Sequence, residues 1–370
     1  MTTAVSAGSY KAEALHSGLK VLELGTLNKV PESQVWNDEE GNNYKGQALE
    51  DIGAELLPLI DLAKADAPKL VEQSCKRGVF RITNHGIPLA VLRNMESASV
   101  DLFSLPTEQK MKGARAPDSF TGYGIFPISS HLQKHLWSES FTVFGSPLRH
   151  ARQIWPQSQE HSKFCDVVEE YKQKMRELAL RLWSLILETL CINNDDIEWA
   201  GPNRDFEGFD GVLNLNFYPL CPEPERAMGL APHTDSSLIT LVHQNDANGL
   251  QLFVKGTGWV PVPAMPDALI VFVGDLLQIM SNGLYRSRIH QAVVNHSQHR
   301  YSFAYIAGPP RTAQIGPHPK IVGPYNPPLY PTMTWSEYLG IKAKLINDTL
   351  SSIELVKSEN DSAEMEIKEP

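Results

Sequence analysis

After Gly211 the chain breaks into short strand-like runs at close intervals, and no other feature constrains the fold as tightly. Val212 to Tyr218, Leu238 to His243, Leu250 to Val254, Trp259 to Val262, Leu269 to Val273, Arg288 to Asn295 and Tyr301 to Ile306 follow one another. Turn signals separate them: Asn248-Gly249, Lys255-Gly256-Thr257-Gly258, Gly274-Asp275 and Ser281-Asn282-Gly283. So many short strands with regular turns predict a double-sheet roll of the jelly-roll or cupin-like kind, a double-stranded β-helix.

The chain ahead of this region is mixed. Residues 1–50 read as a weakly structured arm, with an apolar cluster at Leu19, Val21, Leu22 and Leu24 and a polar stretch from Trp36 to Lys45. Leu57 to Leu62 predicts a first strand, Asp66 to Lys76 a helix with Pro68 in its first turn, and Gly78 to Ile82 a second strand. Leu89 to Leu102 has helical spacing, and Pro106 to Met111 starts another helix. Residues 113–150 are loop-rich and aromatic (Tyr123, Phe126, Trp137, Phe141, Phe144), a candidate substrate wall or else an aromatic hairpin packed on the core. From His161 to Leu190 apolar residues recur at three- and four-residue intervals, which predicts a long helix laid along a sheet. Thr334 to Ile353 returns to helix, with Thr334 and Glu337 spaced as a capping box. The fold expected is α+β with a mainly β core and supporting helices. It divides into an arm at 1–50, a mixed region at 51–205, the roll at 206–315, and a C-terminal helix with a polar tail at 316–370.

Charge and cysteine content narrow the function. The formal net charge of −10 is spread without long single-sign runs, which argues against a nucleic-acid surface. Four cysteines lie far apart with no C-x-x-C pair, so neither a disulfide framework nor a structural zinc site is expected. No apolar run approaches the roughly 20 residues of a membrane span, and Met1 to Tyr10 lacks the apolar stretch of a secretory signal. Cytoplasm is the expected compartment.

Chemistry concentrates between His233 and Ser302. Side chains two apart on a strand share a face, so His233 and Asp235 would project together, and His290 could complete a three-ligand set on one divalent ion. Two histidines and one carboxylate leave half an octahedron open, the ligand set of non-haem Fe(II) oxygenases. Arg300 and Ser302 are again two apart, and a buried guanidinium needs an anion, which a carboxylate-bearing co-substrate would supply. The competing reading is a structural arginine paired with a local carboxylate. His85, His243, His296 and His299 read as satisfied or exposed histidines, and His131 with His135 has helical spacing but no third partner.

These residues resemble the signature of the plant-type 2-oxoglutarate- and Fe(II)-dependent dioxygenases. Asn216-Phe217-Tyr218-Pro219 and Arg77-Gly78-Val79-Phe80 through Asn84-His85-Gly86-Ile87-Pro88 are similar to other landmarks of that family. Within it, the stretches at 137–142, 227–231, 281–285 and 334–340 resemble gibberellin oxidases, especially the 3β-dioxygenases. The resemblance implies Fe(II) on His233, Asp235 and His290. It implies 2-oxoglutarate on Arg300 and Ser302 with Tyr218 and Asn216 as further contacts, O2 as the second co-substrate, and ascorbate as reductant. It further implies a ferryl-oxo oxidant that hydroxylates or desaturates an unactivated C–H bond, with succinate and CO2 released. No general base is required.

The chain departs from the family pattern at Gln291, where an arginine is usual, at Arg288, where an apolar residue is common, and at Arg77 in place of a tryptophan. Arg288, two before His290, is an expected anchor for a substrate carboxylate if the strand alternates, and a solvent-reaching arginine otherwise. Tyr123, Trp137, Phe141 and Tyr305 are expected pocket walls. The substrate expected is a gibberellin-like carboxylic acid. The alternatives are the same chemistry on a flavonoid or phenolic acid, or a non-catalytic binder on the same fold.

Overall fold

The computed structural model describes residues 23–36, 57–116, 119–124 and 134–355. Leu19, Val21, Leu22, Phe126, His131 and the polar stretches 37–45 and 358–370 lie outside them. In chain order the strands are β1 Leu59–Asp61, β2 Val79–Thr83, β3 Gly122–Gly124, β4 Glu139–Val143, β5 Asp210–Tyr218, β6 Met228–His233 and β7 Ile239–Gln244. β8 Leu250–Val254, β9 Gly258–Pro261, β10 Leu269–Val273, β11 His290–Val293, β12 Arg300–Gly308, β13 Gln314–Ile315 and β14 Met333–Thr334 follow.

One sheet runs β1-β2-β10-β7-β12-β5-β4-β3, and a second runs β6-β11-β8-β9. Val242, Ile270 and Phe272 of the first pack with Leu250 and Leu252 of the second, which makes the expected double-stranded β-helix. Strands from the 51–205 and 206–315 regions share the larger sheet, because β2 pairs with β10 and β4 with β5.

The larger sheet is covered on both faces, and the pleat sorts its residues. Along β12, Arg300, Ser302, Ala304 and Ile306 point into the space between the sheets. Phe303, Tyr305 and Ala307 join the core on the other face. That core is completed by the long helix Ser158–Thr189, whose Val168, Tyr171, Met175 and Leu182 are buried. The Tyr171 ring meets Phe303 at 6.1 Å. Sequence periodicity predicts this helix to within three residues at each end, because its stripe is long and unbroken.

Of the two readings of the aromatic region 113–150, the structure takes the packed hairpin: β3 pairs with β4, Tyr123 lying opposite Phe141. Two local expectations change. The strand around the second histidine begins at His290, not Arg288. The C-terminal helix stops at Leu345, because Ile346 sits at φ 48° and ψ −104°, where a helical ladder cannot continue, and a second short helix, Thr349–Ile353, follows. Among the described residues no helix is long and apolar enough to cross a membrane.

Candidate active site

His233 ends β6 and His290 opens β11, and the two are direct partners across the ladder. Their ring centroids stand 4.3 Å apart. Each imidazole is oriented by its own strand: His233 Nδ1 lies 2.9 Å from Ala231 O, and His290 Nδ1 lies 3.0 Å from Arg288 O. With Nδ1–H donating to a carbonyl, the lone pair is left on Nε2, the tautomer a metal ligand needs. Both Nε2 atoms face Asp235 Oδ1, at 3.6 Å for His233 and 3.8 Å for His290. The three donor atoms all lie within 4.8 Å of one another.

Asp235 reaches this position by a route the strand pattern does not describe. β6 ends at His233, so Asp235 stands on a loop and not on a pleat. The loop is folded back by the Asp275 N–H, which donates to Asp235 O at 2.7 Å. Asp235 Oδ2 is buried without a hydrogen-bond partner. Burial pulls the His233 pKa down to about 3, with the neighbouring His290 adding to the effect. For Asp235, burial pushes upward, but the two imidazoles and the Thr240 hydroxyl outweigh it and hold the carboxyl below its ordinary value. A neutral His233, an ionised Asp235 and an orphaned oxygen are the state a divalent cation selects. Phe272 stacks on His290 at 4.1 Å between centroids and shields it from water.

The larger sheet supplies the facing floor. Arg300 pairs with Tyr218 and Ser302 with Asn216 across β12 and β5. Arg300 is 2% exposed, and no carboxylate pairs with it among the described residues. Its Nη2 donates to Gln244 Oε1 at 2.8 Å, while Nε and Nη1 have no hydrogen-bond partner. Burial lowers its pKa. The guanidinium lies 4.8 Å from the Tyr218 ring centroid, a cation–π contact that fixes its plane. Asn216 Nδ2 donates to Ser302 Oγ at a long 3.5 Å. Desolvated donors without a partner are costly, so this pocket is built for an anion.

His233, Asp235, His290 and Arg300 line one cavity of about 300 Å³, whose remaining wall is mostly apolar, with Leu230, Val242, Leu250, Phe272, Ile306 and Leu339. Tyr123, Trp137, Phe141, Tyr305 and Arg288 do not line it. Tyr305 is an odd number of residues from Arg300, so the pleat turns it to the helix side, where its hydroxyl donates to Asp210 Oδ1 at 3.2 Å. Phe141, opposite Leu215, faces the same way and meets Phe164 at 5.7 Å. Tyr123 donates to Glu139 Oε2 at 2.5 Å. Trp137 is buried with Leu24 and Val30, its Nε1–H donating to Leu220 O at 3.2 Å. Arg288 precedes the strand, so alternation does not reach it, and its Nε donates to Arg77 O at 2.5 Å. Gln291 is fully buried and does line the cavity; its Nε2 donates to Gln251 Oε1 at 2.7 Å, while its Oε1 has no hydrogen-bond partner. His85 Nδ1 accepts from the Ile87 N–H, as a satisfied histidine should, whereas His243 faces Glu96 through Nε2 at 2.9 Å and leaves its Nδ1 buried without a partner.

Sequence reading missed Asp275, Thr240, Gln244 and Lys342, which support the site from distant elements. Thr240 and Gln244 share the strand parity of Val242, a signal that becomes readable once β7 is placed beside β12.

An open face of two imidazoles and one carboxylate, set across a double-stranded β-helix from a buried unpaired arginine, defines a non-haem Fe(II) oxygenase. Residues 209–309 match the 2OG-Fe(II) oxygenase superfamily, and residues 57–161 match the non-haem dioxygenase in morphine synthesis N-terminal family. The chain is 45% identical to gibberellin 3-beta-dioxygenase 1 of Pisum sativum over 94% of its length and 93% of the relative's. It is 46% identical to gibberellin 3-beta-dioxygenase 2 of Arabidopsis thaliana over 88% and 93%. The crystal structure of JOX2 in complex with 2OG, Fe and JA superposes with a TM-score of 0.75 at 26% identity, covering 90% of this chain and 95% of that one. The dioxygenase for auxin oxidation of rice shares the fold, with a TM-score of 0.65 at 20% identity over 81% of this chain and 100% of that one. The chain therefore belongs to the 2-oxoglutarate- and Fe(II)-dependent dioxygenases, in the family of the gibberellin 3-beta-dioxygenases. It is an enzyme that uses Fe(II) as cofactor and 2-oxoglutarate as co-substrate.

Proposed function

We propose that this dioxygenase hydroxylates a gibberellin, with the 3β carbon the first position to test, and releases succinate and CO2. The observation that carries this reading is the pairing of an open metal-binding face with an unpaired arginine in one mostly apolar cavity. The relationship to gibberellin 3-beta-dioxygenases over nearly the whole chain supports the substrate. His233 and His290 through Nε2, and Asp235 through its carboxylate, would hold Fe(II). Arg300 and Ser302 would take the far carboxylate of 2-oxoglutarate, with Tyr218 and Asn216 beside them. Bound iron activates dioxygen for attack on an unactivated C–H bond.

What the chain itself contributes is orientation and dryness. Carbonyls at Ala231 and Arg288 fix the imidazole tautomers, and the Arg300 fork with the Tyr218 ring sets the co-substrate's direction. Leu230, Val242, Phe272, Ile306 and Leu339 exclude water from the reacting carbon. In this reading residues 206–315 carry the chemistry, 51–205 brace it, and the segment after 316 closes one wall.

Mass spectrometry of a panel of gibberellins incubated with protein, Fe(II) and 2-oxoglutarate tests the proposal, with Asp235→Ala as control. A product heavier by one oxygen atom, absent with the variant, is the expected result, and NMR then locates the hydroxyl. Succinate without any oxidised gibberellin would overturn the substrate and turn the search to other plant carboxylic acids.

A further inference from the structure

The C-terminal helix Trp335–Leu345 forms part of the cavity: Leu339, Lys342 and Ala343 line it, as does Ile346 just past the helix end. The same segment grips the end of β6 and the loop after it, one point on each. Asn347 Nδ2 donates to Pro232 O at 3.0 Å, next to His233. Lys342 Nζ donates to Thr234 Oγ1 at 2.6 Å, between His233 and Asp235. Asp275, which has no exposed surface, joins helix to loop. Its N–H donates to Asp235 O, and its Oδ2 accepts from Thr234 Oγ1 at 3.1 Å, from the Tyr338 hydroxyl at 2.7 Å and from Lys342 Nζ. The Lys342 side chain is only 14% exposed, so this is a nearly buried ion pair whose partners depend on each other. Ile346, β-branched with φ 48°, holds a strained conformation where helix meets cavity.

We infer that Lys342 is a positioning residue. Through Asp275 and Thr234 it latches the C-terminal helix onto the loop that follows β6, so that the apolar wall over the substrate and the direction of the Asp235 carboxylate are set together. Its charge is already matched by Asp275, which leaves it unsuited to act as a free anchor for a substrate anion. The inference rests on Asp235 as a metal ligand and not on which substrate is oxidised.

The test uses the full chain as wild type, Lys342→Met, Lys342→Arg and Thr234→Val. Hydrogen exchange is followed without added metal on peptides covering 335–347 and 232–240, and Fe(II) affinity is measured by titration. The ratio of oxidised product to succinate is read on whichever substrate the wild type oxidises. Lys342→Met should accelerate exchange by about 10²-fold in both segments together, as a buried carboxylate deprived of its cation relaxes. It should also weaken Fe(II) binding and lower the product-to-succinate ratio, with partial rescue in Lys342→Arg. Faster exchange in the helix alone, with Fe(II) affinity and the ratio unchanged, would overturn the latch. If Lys342→Met accelerates exchange throughout both sheets, Thr234→Val decides, because it leaves the ion pair in place. The same two segments should then loosen together, by a smaller factor, and no change in the loop would overturn the inference. Failure of the gibberellin reading shows separately, as wild-type enzyme that makes succinate and no oxidised gibberellin, and leaves the exchange and Fe(II) readings intact.

Discussion

Arg300 carries the clearest demand for a ligand of any single residue. Two of its buried donors lack a partner, and its planar fork is matched in shape to a carboxylate. Arg300→Lys keeps the charge but loses the second parallel hydrogen bond and the stacking on Tyr218. The Michaelis constant for 2-oxoglutarate should rise by about 10–100-fold, the equivalent of one charged hydrogen bond, while the affinity for Fe(II) in the absence of co-substrate stays unchanged. Gly249 sits beneath the same side chain. A methyl group there would lie 2.8 Å from Arg300 Cδ and 2.8 Å from Val293 O, and the backbone side cannot yield. Gly249→Ala should therefore displace the guanidinium and raise the same constant by about tenfold or more, since misplacement near 1 Å costs on the order of 10². A constant at the wild-type value in steady-state kinetics would refute this account of Gly249. Residue spacing made Arg300 legible, because a strand places residues two apart on one face. It read Gly249 only as a turn signal, since its contact with Arg300 is made across the roll.

At the scale of elements, the C-terminal helix offers the best-defined test. Its predicted capping box is present: Glu337 N–H donates to Thr334 Oγ1 at 3.2 Å, and Thr334 N–H donates to Glu337 Oε2 at 2.7 Å. Thr334→Ala should cost about 1 kcal/mol, read as a lowered urea midpoint with an unchanged slope. The Thr334 backbone N–H, with its hydroxyl, holds the Glu337 carboxyl below its ordinary value. A depressed carboxyl stabilises above the pKa of the unfolded chain, and that contribution fades as pH falls through the folded value. The difference between wild type and Thr334→Ala should thus shrink on acidification below the ordinary carboxylate range. Capping boxes and long apolar stripes are local, so the sequence reads them well. The break at Ile346 goes with a contact far away in the chain, Asn347 to Pro232.

For the whole molecule, the site couples stability to its ligands. The proposed donor set joins two strands and a loop, and the facing arginine lies on the other sheet, so Fe(II) and 2-oxoglutarate held there together would require the closed roll. Each ligand at 100 times its dissociation constant should stabilise the fold by about 2.7 kcal/mol. A thermal melt should rise on adding both and return on chelation with EDTA, and Asp235→Ala should abolish the Fe(II)-dependent part. A melting temperature indifferent to both ligands would contradict the site.

The sequence alone determined the roll, its long supporting helix and the shared face of Arg300 and Ser302, and it singled out His233, Asp235 and His290 as a set. The roll, the helix and the Arg300–Ser302 pair rest on periodicity and on residues two apart, both carried by the local backbone; the meeting of Asp235 with the histidines does not, because Asp235 stands on a loop. Only the tertiary structure decided which aromatics stay out of the cavity and that Arg288 turns away from it. It also decided that Asp235 is aimed by Asp275, and that Lys342 belongs to the site. Those facts depend on which face of a sheet meets which neighbour, and on contacts between residues about 40 to 110 positions apart, where spacing along the chain no longer encodes distance in space.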